Sequence, residues 1–241
     1  MVTSGPPLED EIRLLQESLL EMATCADTMV AAAVEALMTG NQNLVQDVVQ
    51  RDDTVDRFDL DIESRCLRLI AGYQPVARDL RVIGTALKVS TDIERIADYA
   101  VDIARISHRL TLAHEIYRPL VDFPRLTQLS RAMLRDSLQA FIHQDLDLVT
   151  TVIQADDAVD ALYDEMHARL TEVLTRDTTR AMLALNLLFA AQYMERISDH
   201  VVNIAERVCF IETGELKQVP LGSSAPSPSG PELPPLSPPT N

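Results

Sequence analysis

Apolar residues recur at intervals of three and four along most of the chain, which is the spacing of one face of an α-helix. The clearest stripe comprises Val48, Val55, Phe58, Ile62, Cys66 and Leu69. No segment alternates apolar and polar residues over a sustained run, so the pattern predicts no β-sheet. It predicts an all-α fold of six helices, at about Leu8–Met38, Asn43–Ile70, Pro75–Arg109, Pro124–Ile142, Leu146–Thr175 and Thr178–Ile211.

Glycine and proline mark the predicted helix ends. Gly40 and Gly72 suit the left-handed position that closes the first and second helices. Pro75 suits the first turn of the third helix, where its missing N–H leaves no hydrogen bond unmade. Arg78 and Arg81 follow at this helix start, although the positive end of a helix dipole disfavours cations. The two arginines therefore indicate a partner contact, a carboxylate contact or an exposed turn.

The chain contains an internal repeat. The segment Leu44–Asp56 is similar to Leu148–Asp160, which lies 104 residues later. The segment Glu94–Asp98, Glu-Arg-Ile-Ala-Asp, returns as Glu195–Asp199, Glu-Arg-Ile-Ser-Asp, 101 residues later. The turn before the third helix of each half absorbs the difference. We therefore expect two tandem, pseudo-symmetric three-helix bundles of antiparallel helices, residues 1–115 and 116–216.

The composition changes sharply after the second repeat. Eight of the 13 prolines lie between Pro220 and Pro239, together with repeated serine. Such a segment cannot bury enough apolar surface to pack a core. We expect residues 217–241 to form a disordered Pro/Ser-rich tail.

The charge balance excludes some partners. The chain has 21 basic and 37 acidic residues, a net charge of −16, which repels nucleic acid. The N-terminus shows no pattern of a secretory signal, and no apolar run approaches the roughly 18 residues of a membrane span. The longest candidate, Ala181–Tyr193, is interrupted by Asn186 and Gln192. We expect a cytoplasmic protein without nucleic-acid binding or direct membrane insertion.

Pairs of carboxylates one helical turn apart occur on four of the six predicted helices. On a helical wheel Glu94 and Asp98 lie about 40° apart, at the border of the apolar face rather than opposite it. Like charges at this spacing destabilise a helix by a few tenths of a kcal/mol per pair, so the pattern requires a compensating cation or a basic partner. The four pairs are Asp52 with Asp56, Glu94 with Asp98, Asp156 with Asp160, and Glu195 with Asp199.

Carboxylates from two facing helices can bridge one or more hard cations. We therefore expect one acidic cation site in each half, taking divalent or trivalent ions such as Fe, Mg or Mn. The pattern offers no histidine ligand, which disfavours a zinc-type nitrogen site. Two alternatives to a cation site stay open. Arg95 and Arg196 could form ordinary surface ion pairs with these carboxylates, or the residues could be retained from a shared ancestor for packing.

Three segments together resemble the PhoU family of bacterial phosphate-transport accessory and regulatory proteins. The similarity covers about Leu8 to Glu215, and it departs from the family's Glu-Arg-Ile-Gly-Asp at Ala97 and Ser198, both small residues. The segments are Gln74–Arg81 (Gln-Pro-Val-Ala-Arg-Asp-Leu-Arg), Ala86–Ala104, which includes Asp-Ile-Glu-Arg-Ile-Ala-Asp-Tyr-Ala, and Met194–Glu206 (Met-Glu-Arg-Ile-Ser-Asp-His-Val-Val-Asn-Ile-Ala-Glu).

The resemblance implies two tandem three-helix bundles, a cytoplasmic and often dimeric protein, and metal ions on the four carboxylate pairs. It also implies a negative regulator of phosphate uptake. Such a protein acts through the ATPase of the phosphate-specific ABC transporter and the sensor histidine kinase of the phosphate regulon, and it is not an enzyme.

Two further functions compete with this one. A carboxylate-bridged di-metal oxidoreductase needs Glu-x-x-His pairs on two helices, and this chain has none. The nearest approach is Asp164 with His167, in one half only. A metal-free helical scaffold is the remaining alternative.

Overall fold

The computed structural model describes residues 7–114 and 120–215. Within these residues it contains six α-helices and no strand, as the apolar pattern predicts. The predicted boundary between the halves at residue 115 and the predicted tail, residues 217–241, lie outside the described residues. The helices are α1 Leu8–Thr39, α2 Gln42–Tyr73, α3 Ala77–Leu112, α4 Phe123–His143, α5 Leu146–Arg176 and α6 Ala181–Thr213.

Matching residues close and open the helices of the two halves. Gly40 ends α1 with a φ of 70°, and Gln144, 104 residues later, ends α4 in the same left-handed conformation with a φ of 54°. The next helices then begin with the side chains of Asn41 and Asp145, which accept hydrogen bonds from backbone N–H groups of their first turns. The repeat therefore extends to the turn geometry.

Two predicted boundaries at the α2–α3 turn are wrong. The second helix continues past Gly72 to Tyr73, and the left-handed residue that closes it is Gln74, with a φ of 50°. Pro75 does not lie in the first turn of α3, because Val76 is its N-cap and Ala77 its first residue. Helix propensity signals locate a turn but not the residue that takes the left-handed conformation.

Each half forms one three-helix bundle, α1–α3 and α4–α6, with a core made mainly of aliphatic residues and alanine. Four of the methionines in this core, Met22, Met29, Met133 and Met194, are at most 1% exposed. The bundles pack together through α3 against α6 and, less extensively, α1 against α4. Burial of α3 on three sides makes it, with α6, the structural centre of the molecule.

The contacts between α3 and α6 show that the helices are antiparallel and related by an approximate twofold axis. His200 Nδ1 lies 2.9 Å from Asp92 Oδ1, and the rings of Tyr99 and Tyr193 stack with centroids 5.7 Å apart. Asp92 and Tyr193 are repeat equivalents, as are Tyr99 and His200, so each contact is the image of the other. The axis therefore passes between the centres of the two Glu-Arg-Ile-x-Asp motifs.

Arg78 and Arg81 join the start of α3 to the end of α6. Arg81 Nε donates to the carbonyl of Ile211 at 2.8 Å, and Arg78 Nη2 lies 2.7 Å from Glu212 Oε1. The arginines thus lie at the negative C-terminal end of α6, which favours cations. Of the three roles that the sequence leaves open for them, the structure supports the carboxylate contact for Arg78, whereas Arg81 contacts a backbone carbonyl, and both contacts are intramolecular.

Helix α1 is the one described helix whose length and composition match a membrane span. By length and apolar composition, α1 is a stronger match to a membrane span than Ala181–Tyr193, the candidate identified in the sequence. The sequence-based choice of candidate is therefore wrong. Leu15, Leu19, Met22 and Ala26 on α1 are all at most 1% exposed within the bundle. Packing in the core accounts for its apolar composition.

A bidentate ion pair joins α1 to α4 across the same approximate axis. Arg131 Nε and Nη2 each lie 2.7 Å from one of the two carboxylate oxygens of Asp27, whose side chain is 16% exposed. Asp27 and Arg131 are 104 residues apart and thus repeat equivalents. If both positions carried the same charged residue, the approximate axis would place two like charges next to each other.

We expect Arg131→Ala to lower the free energy of unfolding by about 1–2 kcal/mol, because it removes the bidentate partner of a mostly buried carboxylate and leaves only the more distant Arg135, whose Nη1 lies 3.7 Å from Asp27 Oδ1. Urea denaturation followed by circular dichroism measures the change. Arg13→Ala is the control, since Arg13 forms an exposed ion pair with Glu17 that contributes less than about 1 kcal/mol. Exchanging the residues, Asp27→Arg with Arg131→Asp, should recover part of the loss. An effect of Arg131→Ala no larger than the control would contradict this assignment.

Candidate functional site

Helices α2 and α3 bring the first two carboxylate pairs together. The side chain of Gln42, at the start of α2, donates to Thr111 Oγ1 at 3.0 Å near the end of α3. This contact fixes an antiparallel register in which the middle of α2 faces the middle of α3. Asp52 and Asp56 therefore lie opposite Glu94 and Asp98. We call these four residues the first cluster.

Burial and mutual repulsion act on the first cluster. Burial raises the pKa of Asp52, and the neighbouring charges of Asp56 and Asp98 raise it further. Burial also raises the pKa of Glu94, with a further increase from Asp98 that Arg95 partly offsets. The pKa values of Asp52 and Glu94 thus depend on charges of both α2 and α3. The structure therefore brings the two predicted carboxylate pairs close enough to interact electrostatically.

The equivalent residues of α5 and α6, Asp156, Asp160, Glu195 and Asp199, form the second cluster. It is more strongly desolvated than the first. Burial and the neighbouring carboxylates raise the pKa of Asp156 to about 7 and that of Glu195 to about 7. Burial raises the pKa of Asp160 and Asp199 as well.

Two carboxylate groups in the clusters lack hydrogen bonds within the described part of the chain. Asp156 is only 6% exposed and has neither a hydrogen bond nor an ion pair. Glu94 Oε2 is buried without a hydrogen bond, although Arg95 Nε is 3.4 Å away. Buried charge without a partner is unfavourable by several kcal/mol unless a proton or a cation neutralises it. The clusters therefore favour either protonation or a bound cation.

The motif arginines form the ion pairs that the sequence leaves open, but these pairs are partial. Arg95 Nη1 lies 2.9 Å from Asp98 Oδ2, and Arg196 Nη1 lies 3.3 Å from Asp199 Oδ2. Both arginines are more than half exposed, and their ion pairs are with carboxylates of their own helix. The carboxylates on α2 and α5 gain no such partner from them, so ordinary surface pairing does not account for the whole of either cluster.

The small residues inside the motifs allow close helix approach. Ser198 Oγ donates to Ser130 Oγ at 2.9 Å across the α4–α6 contact, and both residues are buried. The first half has Ala26 and Ala97 at the equivalent positions, each fully buried. A larger residue at one of these positions would push α3 away from α1, or α6 away from α4.

The carboxylates converge without forming a finished ligand set. Among the described residues no three His, Cys, Asp or Glu side chains are arranged to hold a metal ion. The donor chemistry nevertheless suits a hard cation, since carboxylates from two helices meet and some lack partners. The eight predicted ligands therefore remain a prediction, and binding would require their side chains to turn toward each other.

Two residues outside the predicted ligand set belong to the electrostatic environment of the clusters. The charge of Asp59 contributes to the raised pKa of Glu94, and Glu195 contributes to the raised pKa of Tyr163, in both cases after the larger effect of burial. Asp59 is seven residues after Asp52 and Tyr163 seven after Asp156, so each lies on the same face of its helix. That spacing was the signal available in the sequence.

Comparison with known proteins identifies the family. The family model for the PhoU domain matches residues 19–107 and again residues 123–208. The chain belongs to the PhoU family. The resemblance seen in the sequence is thus confirmed, and each of the two matches contains one cluster.

Relatives and solved structures agree with this membership. The chain is 34% identical to a phosphate-specific transport system accessory protein PhoU homolog of Clostridium acetobutylicum, over 88% of this chain and 96% of that protein. It is 37% identical to the homolog of the same name from Aquifex aeolicus, over 86% and 93%. The crystal structure of PhoU from Pseudomonas aeruginosa is similar with a TM-score of 0.82 and 32% identity, covering 87% of this chain and all of that one.

A structure of lower identity supports the fold alone. The phosphate transport system regulatory protein PhoU from Streptococcus pneumoniae has a TM-score of 0.79 at 24% identity, covering 88% of this chain and all of that one. The all-α fold predicted from the apolar pattern is therefore shared with both solved structures.

We expect Asp156→Asn to stabilise the metal-free protein at pH 8 by about 1–2 kcal/mol, because it removes a buried charge that has no partner. Urea denaturation in EDTA measures the difference. Glu165→Gln is the matched control on the same helix, since Glu165 is exposed and is not among the charges that act on Asp156. Destabilisation by Asp156→Asn at pH 8 would show that the ionised carboxylate is favourable in the metal-free fold.

The raised pKa of Asp156, about 7 against the ordinary 3.8, also gives the sign of the pH dependence. The folded state holds this proton more tightly, so its stabilising contribution is complete below about pH 4 and is lost as the pH rises to about 7. Between pH 5 and pH 8 in EDTA, the wild-type chain should therefore lose more stability than Asp156→Asn. Parallel slopes for the two proteins would contradict the raised pKa.

Proposed function

We propose that this chain is an accessory and regulatory protein of a phosphate-specific transport system and works in the cytoplasm. The observation that carries the proposal is the match to PhoU relatives over nearly their whole length, with both PhoU domains present. The names of these relatives state the accessory role, and the chain shares their architecture over both bundles rather than over one segment.

The finer part of the proposal is that the chain is a negative regulator and not an enzyme. It links the ATPase of the phosphate ABC transporter to the sensor histidine kinase of the phosphate regulon by direct contact, as a homodimer. Two bundles packed together through α3 and α6 suit an adaptor that presents fixed surfaces to two partners.

We further propose that each cluster holds a divalent or trivalent metal ion such as Fe, Mg or Mn. Asp52, Asp56, Glu94 and Asp98 would bind in the first half, and Asp156, Asp160, Glu195 and Asp199 in the second. The ion supplies positive charge that neutralises the carboxylates. The buried carboxylate of Asp156 supports this role, because it has neither a hydrogen bond nor an ion pair among the described residues, and Glu94 Oε2 is buried without a hydrogen bond.

The di-metal oxidoreductase gains no support from the geometry. Asp164 and His167 are both exposed on α5. The charge of Asp164 contributes to the raised pKa of Asp160, but the His167 ring packs against Tyr163, with 5.9 Å between centroids, rather than on a carboxylate of the second cluster. The metal-free scaffold is the remaining competitor, and metal analysis distinguishes it.

Replacing Glu94, Asp98, Glu195 and Asp199 by the neutral isosteres Gln and Asn should reduce the metal that copurifies with the chain to about a tenth or less, because removing several carboxylates abolishes most of the attraction that holds a hard cation. Elemental analysis of purified protein measures it. A variant with Glu9→Gln, Glu21→Gln, Asp147→Asn and Glu165→Gln controls for the four lost negative charges, because these residues are exposed and are not among the charges that act on the cluster carboxylates.

The wild-type chain should also melt at a higher temperature with added Mn²⁺ than with chelator, since a ligand of the native state stabilises it. A melt unaffected by either, together with unchanged metal in the four-residue variant, would favour the metal-free scaffold.

Deleting the gene should raise phosphate uptake in phosphate-replete cells, and the wild-type gene should restore repression. The same strain carrying the four-residue variant separates the metal from the adaptor role. Loss of repression with that variant would show that metal binding is necessary for regulation. Pull-down from phosphate-replete cells, read by mass spectrometry, should recover the transporter ATPase and the histidine kinase. Unchanged uptake in the deletion strain would refute the regulatory role.

A further inference from the structure

Thr85 on α3 and Arg207 on α6 face each other in the contact between these two helices. Along both helices they lie seven residues from the contact of Asp92 with His200, and four residues from the contact of Arg81 with the carbonyl near the end of α6. Steps of four and seven residues stay on one face of a helix. The two contacts therefore place Thr85 opposite Arg207.

The hydroxyl of Thr85 is not used by the fold within the described part of the chain. Thr85 is 1% exposed, and its Oγ1 is buried without a hydrogen bond. Other threonines of α3, Thr91 and Thr111, donate to the carbonyl four residues earlier, whereas Thr85 makes no such bond. A buried hydroxyl without a partner is unfavourable, so this group is available to a ligand at the α3–α6 contact.

Three cations lie around this hydroxyl. Arg207 is half-buried and Lys88, one turn after Thr85, is exposed, and neither has a hydrogen bond or an ion pair from its side chain among the described residues. Arg81, one turn before Thr85, donates from Nε to a backbone carbonyl and forms no ion pair in the same part of the chain. The carboxylate of Asp92 is already paired across the contact. The cations thus have no carboxylate partner.

Glu206 does not neutralise this group of cations. It precedes Arg207 in the chain but lies about 100° around α6 from it. Arg207 forms no ion pair with it or with any other described residue. The positive charge of the group is therefore not balanced from within the same helix.

The repeat shows that the fold does not need these charges. The equivalent positions in the other half carry no charge and are Met182, Asn186, Phe189 and Ile106. Met182 and Phe189 are 59% and 43% exposed, so apolar residues are accepted at the equivalent surface. Three neighbouring cations repel one another unless an anion lies between them. The cations of this half therefore indicate a ligand rather than a requirement of packing.

We propose that Arg81, Thr85, Lys88 and Arg207 bind a small, doubly charged oxyanion, either free phosphate or the phosphate group of a larger molecule. Guanidinium groups donate parallel hydrogen bonds to such oxygens, an ammonium group adds a point charge, and a hydroxyl completes the set. A ligand of few atoms suits a site whose hydroxyl lies beneath the surface. The site shares no residue with either cluster, so this inference does not depend on metal binding.

Isothermal titration of the full chain with inorganic phosphate at pH 7.5 tests the site. The protein is first stripped of metal and dialysed into a chloride buffer without chelator, because a chelator is itself an anion. We expect a dissociation constant of about 1 mM or lower. Sulfate should compete, since it has the same shape and charge, whereas acetate at equal ionic strength should not. Tighter binding of AMP than of phosphate would support the same site with a phosphate monoester as its ligand.

Two variants separate ligand binding from packing. Arg207→Gln should weaken phosphate binding by at least about tenfold, because it removes a charge-assisted hydrogen-bond donor. Thr85→Val should weaken it by about threefold or more, yet leave the melting temperature without phosphate unchanged or higher, because it removes a buried hydroxyl that has no partner. Arg109→Gln is the control, since Arg109 is exposed on α3 about 30 Å along the helix from Lys88, and it should stay within about twofold.

The failure of this site is distinguishable from failure of the metal sites, because the titration uses metal-free protein. No phosphate binding at about 10 mM, or an effect of Arg207→Gln no larger than that of Arg109→Gln, would overturn the proposal. Binding of an oligoglutamate peptide that phosphate cannot displace would also overturn it, since the cations would then serve an acidic protein partner. If Arg207→Gln fails to fold by circular dichroism, Lys88→Gln changes an exposed residue and should weaken phosphate binding by about fivefold.

Discussion

The antiparallel packing of α3 against α6 constrains where every charged group of the candidate site can lie. Each of these helices must bury one face in its own bundle and another against its counterpart, which leaves only a narrow border for polar residues. The Glu-Arg-Ile-x-Asp motif lies on that border, at the point where the approximate twofold axis passes. Its isoleucine is buried, at Ile96 and at Ile197, while its carboxylates turn toward a neighbouring helix of the same bundle. A cluster forms because that neighbour, α2 or α5, presents its own carboxylates at the same height.

The apolar pattern predicted six helices and the two-bundle fold because helical periodicity and the repeat depend on local sequence. The same reasoning predicted which carboxylates would face each other, since antiparallel neighbours with short turns have a nearly fixed register. It misplaced the end of α2, because nothing in the sequence indicates that Gln74 rather than Gly72 takes the left-handed conformation. It also left the target of Arg78 and Arg81 undecided, because the end of α6 is more than 100 residues away in sequence.

Desolvation is the part of the site that sequence could not predict. Asp52 and Asp156 are repeat equivalents in similar sequences, yet of the two only the pKa of Asp156 rises to about 7. The difference depends on how closely neighbouring helices cover each carboxylate and on which charges packing brings near it, since Arg105 lowers the pKa of Asp52 whereas the charges that act on Asp156 are carboxylates that raise it. The ion-pair partners of Arg95 and Arg196 could not be predicted from the sequence either. Their charges are visible in the sequence, but only the structure shows that they pair with carboxylates of their own helix and leave those on α2 and α5 without a partner.

Fusion of the two halves into one chain allows equivalent positions to carry opposite charges. In a symmetric pair of separate bundles, the position of Asp27 would meet its own copy across the axis, and two like charges would repel. In this chain the copy is Arg131, and the contact becomes a bidentate ion pair. Divergence of this kind keeps the shared fold, because Asp27 and Arg131 lie at the α1–α4 contact, partly exposed, rather than among the fully buried apolar residues. The duplicated architecture therefore does not require equivalent positions to carry the same charge.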